Sequence, residues 1–287
     1  MGERARPMQR ILLVGCPRSG TTLLQSMLGT HSDLFTFTES HFFPSYFHAR
    51  SLMRHRVSES LPDRILAFLD ENNFPRSEAP RIRVGNMMRW GAVAQVRKCL
   101  TLFDTMAERQ GKSAWLEKTP DNLHRLPILE SASPNINVVH IIREPSSVIP
   151  SLVKASQAWS RPFSLESASE KWLRDVRTSL TYKGKKWHAF VLYEDLVQTP
   201  ERVVRSLVGG LGLNTDRLRL ENYRDVAARV IAPGEWWKEN NTRPVVMDGR
   251  REGIELPADL AARLGDKHSS VYREMKSICT YPEPSVS

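Results

Sequence analysis

A chain of 287 residues with 40% hydrophobic and 25% charged side chains can bury a substantial core, which excludes a disordered or collagen-like polypeptide. Its formal net charge of +9 points to an anionic ligand, but it has no Lys/Arg tract with interleaved aromatics and no zinc-finger spacing, which argues against nucleic acid. Three scattered cysteines, Cys16, Cys99 and Cys279, argue against a disulfide framework and fit a reducing cytoplasm, and no apolar run approaches the roughly 18–20 residues of a membrane span.

Met1 to Arg10 is basic and lacks the apolar region of a signal peptide. The apolar run Ile11 to Val14 then reads as a buried strand. It leads into Gly15-Cys16-Pro17-Arg18-Ser19-Gly20-Thr21-Thr22, followed by a helical pattern at Leu23, Leu24, Met27 and Leu28. Strand, glycine loop and helix together gather backbone N–H groups and the positive end of the helix dipole into a phosphate cradle. The glycine spacing is that of a nucleotide-binding P-loop, but Thr21 follows the second glycine where an ATP-binding loop has lysine. Arg18 supplies a cation earlier in the loop. Cys16 reads as a small loop filler.

Leu34 to Thr38 reads as a short strand that places Glu39 at its carboxyl end, with His41 two residues further on. Asn72 to Arg83 reads as a loop, and Val93 to Ala107 as an amphipathic helix. Ser113 to Glu117 is the next strand, and Lys118 follows it. Thr119-Pro120 opens a helix to Ser131, since proline is well suited to the first helical position. Ile136 to Ile142 is a fully buried strand ending on Arg143, whose planar guanidinium suits a phosphate. Pro145 to Ala155 is a helix that Pro150 should kink, and Ser151 lies on it. A helix over Ser164 to Leu180 and a strand over Trp187 to Tyr193 follow, then a helix from Pro200 to Val208 that Gly209-Gly210 should stop. Ala232 to Glu255 reads as a long loop of the kind that forms active-site lids.

Strands alternating with helices predict an α/β three-layer sandwich with a central, mostly parallel sheet. Ligands in such sheets bind at the carboxyl ends of the strands, where every motif above falls. The chain 1–287 reads as one domain, with its motifs over about 9–210 and a C-terminal loop and helices over 211–280.

The loop Pro17-Arg18-Ser19-Gly20-Thr21-Thr22 resembles the 5′-phosphosulfate loop of sulfotransferases that use 3′-phosphoadenylyl sulfate (PAPS), most closely the tyrosylprotein, heparan-type and bacterial branch. Arg143 with Ser151 eight residues on resembles that family's 3′-phosphate motif. Glu117-Lys118-Thr119-Pro120 with Asn122, and Tyr193-Glu194-Asp195-Leu196, resemble two further blocks in the expected order. The resemblance implies that Pro17 to Thr22 bind the 5′-phosphosulfate, that Arg18 and Lys118 steady the sulfuryl group, and that Arg143, Ser151 and Tyr193 hold the nucleotide. It implies Glu39 as the base for the acceptor hydroxyl, with His41 the other candidate. Lys238 or Arg243 would close on the 3′-phosphate. Ala155 stands where the tyrosylprotein branch has an arginine, which counts against a peptide-tyrosine acceptor.

The implied products are a sulfate ester and adenosine 3′,5′-bisphosphate, with no metal required. The acceptor would be a small molecule or a glycan, and Phe42, Phe43, Tyr46, Phe47, Met87, Met88 and Trp90 are candidates for an apolar acceptor pocket or for core packing. Two rivals use the same residues. A P-loop kinase or nucleoside-triphosphatase would borrow Lys118 and need Mg²⁺, and a non-catalytic adenosine-bisphosphate-binding module would have no use for Glu39.

Overall fold

The computed structural model describes residues 7–158, 162–231, 258–279 and 281. In chain order the first half comprises β1 (Gln9–Gly15), α1 (Thr21–Leu28), β2 (Leu34–Thr36), α2 (Phe42–Tyr46), β3 (Phe47–Ala49), β4 (Arg54–Val57), α3 (Leu61–Glu71), β5 (Gly85–Met88) and α4 (Arg89–Arg109). There follow β6 (Ala114–Lys118), a 3-10 turn (Pro120–Arg125), α5 (Leu126–Ala132), β7 (Asn137–Ile142), α6 (Pro145–Ser156) and α7 (Leu165–Leu180). The chain continues through β8 (His188–Leu192), α8 (Tyr193–Gln198), α9 (Pro200–Gly210), α10 (Tyr223–Val230) and α11 (Ala258–Ile278).

Five strands form one sheet in the order β2-β6-β1-β7-β8, and every pairing is parallel. Such a sheet must be covered on both faces, and the side-chain alternation along its strands achieves this. In β1, Leu12 and Val14 join the core against α3, α4 and α5, while Ile11 and Leu13 join a second core against α1 and α9. In β6, Trp115 faces the first core and Leu116 the second. Burying one such aliphatic side chain contributes roughly 1.5–3 kcal/mol, so both layers are strongly specified by a few four-residue runs.

A second, three-stranded sheet in the order β3-β4-β5 is antiparallel and stands outside the sequence expectation. Its strands are three or four residues long and rich in Arg, His and Met, too short and polar to show a clear alternation.

Two helix expectations are corrected. Pro120 to Ser131 is not one helix: the 3-10 turn comes first, and α5 restarts with Pro127 near its N-terminus, where a missing N–H costs nothing. The α6 helix carries Pro150 in its interior, as the sequence placed it. The α9 helix includes Gly209 and Gly210, and the reversal falls at Gly212, whose φ is +77°. The loop 72–83 contains a short 3-10 turn, Arg76–Glu78. Phe42, Phe43 and Phe47 are fully buried, with Phe42 stacked on Phe103 at 5.7 Å between centroids, so these three pack the core. Trp90 is 74% exposed. The expected lid over 232–255, with Lys238 and Arg243, lies outside the described residues. Among the described residues, no helix is long and apolar enough to cross a membrane.

Candidate active site

Strand register gathers the motifs at one edge of the large sheet. Lys118, the last residue of β6, pairs with Leu13 of β1, two residues before Gly15. Gly15 pairs with Ile141 of β7, and Ile142 with Leu192 of β8, so Arg143 and Tyr193 emerge side by side. The β2 strand ends at Thr36 on the same edge, and Glu39 follows three residues later.

Two glycines of the loop are fixed by close approach. A Cβ on Gly15 would lie 2.4 Å from the Ile141 carbonyl oxygen. A Cβ on Gly20, whose φ is +90°, would lie 2.3 Å from the Tyr193 ring. Arg18 itself sits in the left-handed region at φ 74°, a cost that a residue other than glycine bears where a site requires it. The loop closes through Ser19 N–H donating to the Cys16 carbonyl at 3.2 Å, and Leu24 N–H donating to the Gly20 carbonyl at 3.1 Å. Ser19 Oγ is buried without a hydrogen-bond partner among the described residues, which fits a cradle built for an anion. Thr21 and Thr22 open α1, where the first N–H groups have no carbonyl one turn earlier to bond.

Arg18 Nε donates to Ser151 Oγ at 3.1 Å, which joins the loop to α6. Arg143 donates to the Arg18 carbonyl at 3.4 Å, and its guanidinium stacks on the Tyr193 ring at 4.1 Å from the centroid. The Arg143 carbonyl accepts from Trp172 Nε1 of α7 at 3.0 Å. Two cations, one hydroxyl and one aromatic face therefore share a single corner, floored by the glycine loop.

The second cluster centres on Lys118, a fully buried ammonium. It donates to Thr22 Oγ1 at 3.3 Å and forms an ion pair with Glu39 Oε1. The other Glu39 oxygen lies 3.4 Å from His41 Nε2. Glu39 is 10% exposed and His41 47%, so the carboxylate is the more enclosed of the two base candidates.

Five residues to which the sequence assigned no part in the chemistry hold this cluster in place. Glu117 is buried and accepts from Ser40 Oγ at 2.8 Å, Asn122 Nδ2 at 2.6 Å and Thr119 Oγ1 at 2.5 Å. Burial pushes its carboxyl pKa up, opposed by the hydrogen bonds from Thr119 and Ser40. Arg64 of α3 donates to the backbone carbonyls of Glu39 at 2.8 Å and Ser40 at 2.9 Å. The Glu117-Lys118-Thr119-Pro120-Asp121-Asn122 run carried the signal for Glu117, Thr119 and Asn122; for Arg64 the sequence carries none.

Behind the loop, Lys171 lies 2.6 Å from Asp121 and 3.0 Å from Asp175, and His124 lies 2.8 Å from Asp175. The lysine neutralises the grouping of Asp121, His124 and Asp175 that would otherwise offer three metal ligands. Cys16 is buried against this cluster, and burial, then Asp175, pushes its thiol pKa well up, as a packing residue requires. Downstream, Glu194 accepts from the Glu144 N–H at 3.0 Å and from Tyr272 Oη of α11 at 2.8 Å, so the last helix braces the site's far strand.

Residues 10–217 match the sulfotransferase family. A Caenorhabditis briggsae protein described as a candidate protein-tyrosine sulfotransferase is 24% identical over 234 residues, covering 77% of this chain and 72% of that protein. The sulfotransferase domain of the Synechococcus PCC 7002 olefin synthase superposes with a TM-score of 0.61 at 20% identity, covering 96% of this chain and 97% of that one. The sulfotransferase domain from the curacin biosynthetic pathway gives 0.57 at 19% identity, covering 97% and 100%.

Proposed function

The chain belongs to the sulfotransferase family and is an enzyme of sulfuryl transfer; from that premise we propose that its donor is PAPS and that Glu39, Lys118 and Arg18 carry the chemistry. The observation that supports this most is the convergence of Arg18, Ser151, Arg143 and Tyr193 on one corner beside the Lys118–Glu39 pair.

The loop from Pro17 to Thr22 would hold the 5′-phosphosulfate with backbone N–H groups and the Ser19, Thr21 and Thr22 hydroxyls. Arg143 would hold the 3′-phosphate from above the Tyr193 ring, with Ser151 set against Arg18. A 3′-phosphate site has no use in an ATP enzyme, which is why the PAPS assignment is preferred. Lys238, outside the described residues, is retained as a candidate to close this corner. When bound, the donor supplies the sulfuryl group and adenosine 3′,5′-bisphosphate as the leaving group.

This chain's residues then have four tasks. Glu39 takes the proton from the acceptor hydroxyl as its oxygen bonds to sulfur. Lys118 and Arg18 place positive charge where the sulfuryl oxygens and the departing bridging oxygen gain negative charge. The Glu117 network and Arg64 fix the Glu39 turn, so that base and cations meet the reacting atoms in line. The proton on Glu39 can leave by way of His41, 3.4 Å away and half open to solvent. The scheme assigns no role to a metal ion. The acceptor is a hydroxyl compound, small molecule or glycan, and three free cysteines accord with a cytoplasmic setting.

Release of adenosine 3′,5′-bisphosphate from PAPS, measured with a panel of hydroxyl acceptors in the presence of a chelator, tests the assignment. Wild-type protein is expected to couple bisphosphate release to sulfate-ester formation, and Glu39→Gln to lose about 10²–10⁴-fold in rate. A wild-type rate in Glu39→Gln would remove Glu39 as the base.

A further inference from the structure

The small antiparallel sheet borders, with the 3-10 turn and α5, a partly open cavity of about 230 Å³. Its walls include Leu52, Ile128 and Phe47, and four basic side chains, His55, Arg89, His124 and Arg125. None of its described lining residues is acidic. In β4 the side chains alternate between exposed and buried, and His55 takes an inward position that a strand ordinarily gives to an apolar residue. It is only 8% exposed, and its Nδ1 has no hydrogen-bond partner among the described residues. Arg125 Nε is likewise buried without a partner, although Arg125 also donates to the Pro44 carbonyl at 3.3 Å. Arg89 is tethered to α5 through Ser131 Oγ at 3.0 Å. Buried polar atoms are ordinarily paired, so an orphaned guanidinium N–H and an orphaned imidazole nitrogen beside a cavity, with a second guanidinium held in place, call for an anion.

Both walls grow from the catalytic edge. The β6 strand delivers Lys118 and then the 3-10 turn; the segment after β2 delivers Glu39 and then α2 and β3. The turn advances about 2.0 Å per residue, so Arg125 stands roughly 12 Å beyond Thr119. Drug-sized ligands fill about 300–1,000 Å³, so this cavity takes one end of such a molecule and not the whole.

We infer that this cavity anchors the acceptor by an anionic end, a carboxylate or phosphate monoester on an apolar body, with the reacting hydroxyl toward Glu39. The inference rests on the sulfuryl-transfer reading for the identity of the ligand, but not for the existence of the site.

Calorimetric titration of the full chain with decanoate, decyl phosphate and 1-decanol separates the two. At least one anion is expected to bind about tenfold or more tightly than decanol, with the preference lost in Arg125→Met. Ala49→Trp, which fills the cavity from β3, is expected to abolish binding of the anion, and unchanged thermal unfolding midpoints show that both variants fold. Equal binding of the anions and decanol, or a preference that survives Arg125→Met, overturns the site. With PAPS, 10-hydroxydecanoate is expected to be sulfated with a KM that rises about tenfold in Arg125→Met at unchanged kcat. Equal kcat/KM for 10-hydroxydecanoate and 1-decanol overturns the acceptor role. Failure of the PAPS assignment would show instead as absent turnover of every acceptor with the decanoate titration intact.

Discussion

Arg18 Nε donates to Ser151 Oγ at 3.1 Å, which ties together two motifs 133 residues apart in the chain. One belongs to the glycine loop and the other to the helix after Arg143, so the two ends of the proposed donor site are mechanically a single unit. Ser151→Ala removes a hydrogen bond to a charged group, worth about 1.5–3 kcal/mol. Affinity for adenosine 3′,5′-bisphosphate is expected to fall roughly tenfold or more, and the unfolding midpoint to drop by a few degrees. Equilibrium titration of the variant measures it.

The Lys118–Glu39 pair is buried on one side and nearly so on the other. Removing one partner of such a pair strands the other charge, at about 3–5 kcal/mol. Lys118→Met should therefore destabilise the fold by that amount, while the double variant Lys118→Met/Glu39→Gln should recover part of it. Urea unfolding of the four proteins in the cycle measures the coupling, which is expected to exceed about 1 kcal/mol.

Glu117 is expected to be a positioning residue. Glu117→Ala strands the donors of Ser40, Thr119 and Asn122 in the interior. At about 1–3 kcal/mol per unsatisfied group, the loss should approach the whole margin of stability. Glu117→Gln keeps an acceptor oxygen and should fold, with kcat reduced more than KM because the Glu39 turn shifts while donor contacts stay. Steady-state kinetics of the Gln variant reads that split.

A fourth prediction lies away from the site. His140 is buried, bonded through Nε2 to His188 Nδ1 at 2.9 Å and through Nδ1 to Ser179 at 3.1 Å. His188 in turn lies 2.9 Å from Glu130. Burial, and then the neighbouring His188, hold the His140 pKa well below its ordinary value; burial also lowers that of His188, against the pull of Glu130. The folded state thus binds protons less readily than the unfolded chain. Stability is expected to be full above about pH 6.5 and to fall as the pH drops below it. Urea midpoints at about pH 7.5 and 5.5 measure this, and His140→Gln should flatten the difference.

The large sheet and its cradle were legible because the two central strands are apolar runs followed at once by chemistry, Val14 then the loop and Ile142 then Arg143, and the short, mixed strand before Lys118 leads straight into it. Burial on both faces leaves no ambiguity in such runs, and parallel order sends all their ends to one edge. The β3-β4-β5 sheet was not legible, since Arg54-His55-Arg56 shows no apolar alternation and His55 is buried for reasons that only the cavity supplies. Phe42 and Phe43 were ambiguous because an aromatic pair on a short helix reads the same in a core as in a pocket; their packing against Phe103 is a long-range contact. Arg64 was invisible because its role is to bind backbone carbonyls 24 and 25 residues away.

The central claim is that the loop and Arg143 recognise a nucleotide bearing both 5′- and 3′-phosphates. Calorimetric titration with adenosine 3′,5′-bisphosphate in chelator, beside ADP with Mg²⁺, tests it most directly. The account predicts tight, metal-independent binding of the bisphosphate, weakened about tenfold or more by Arg143→Met, and weak binding of ADP. Preference for ADP with Mg²⁺, or bisphosphate binding indifferent to Arg143→Met, would contradict it.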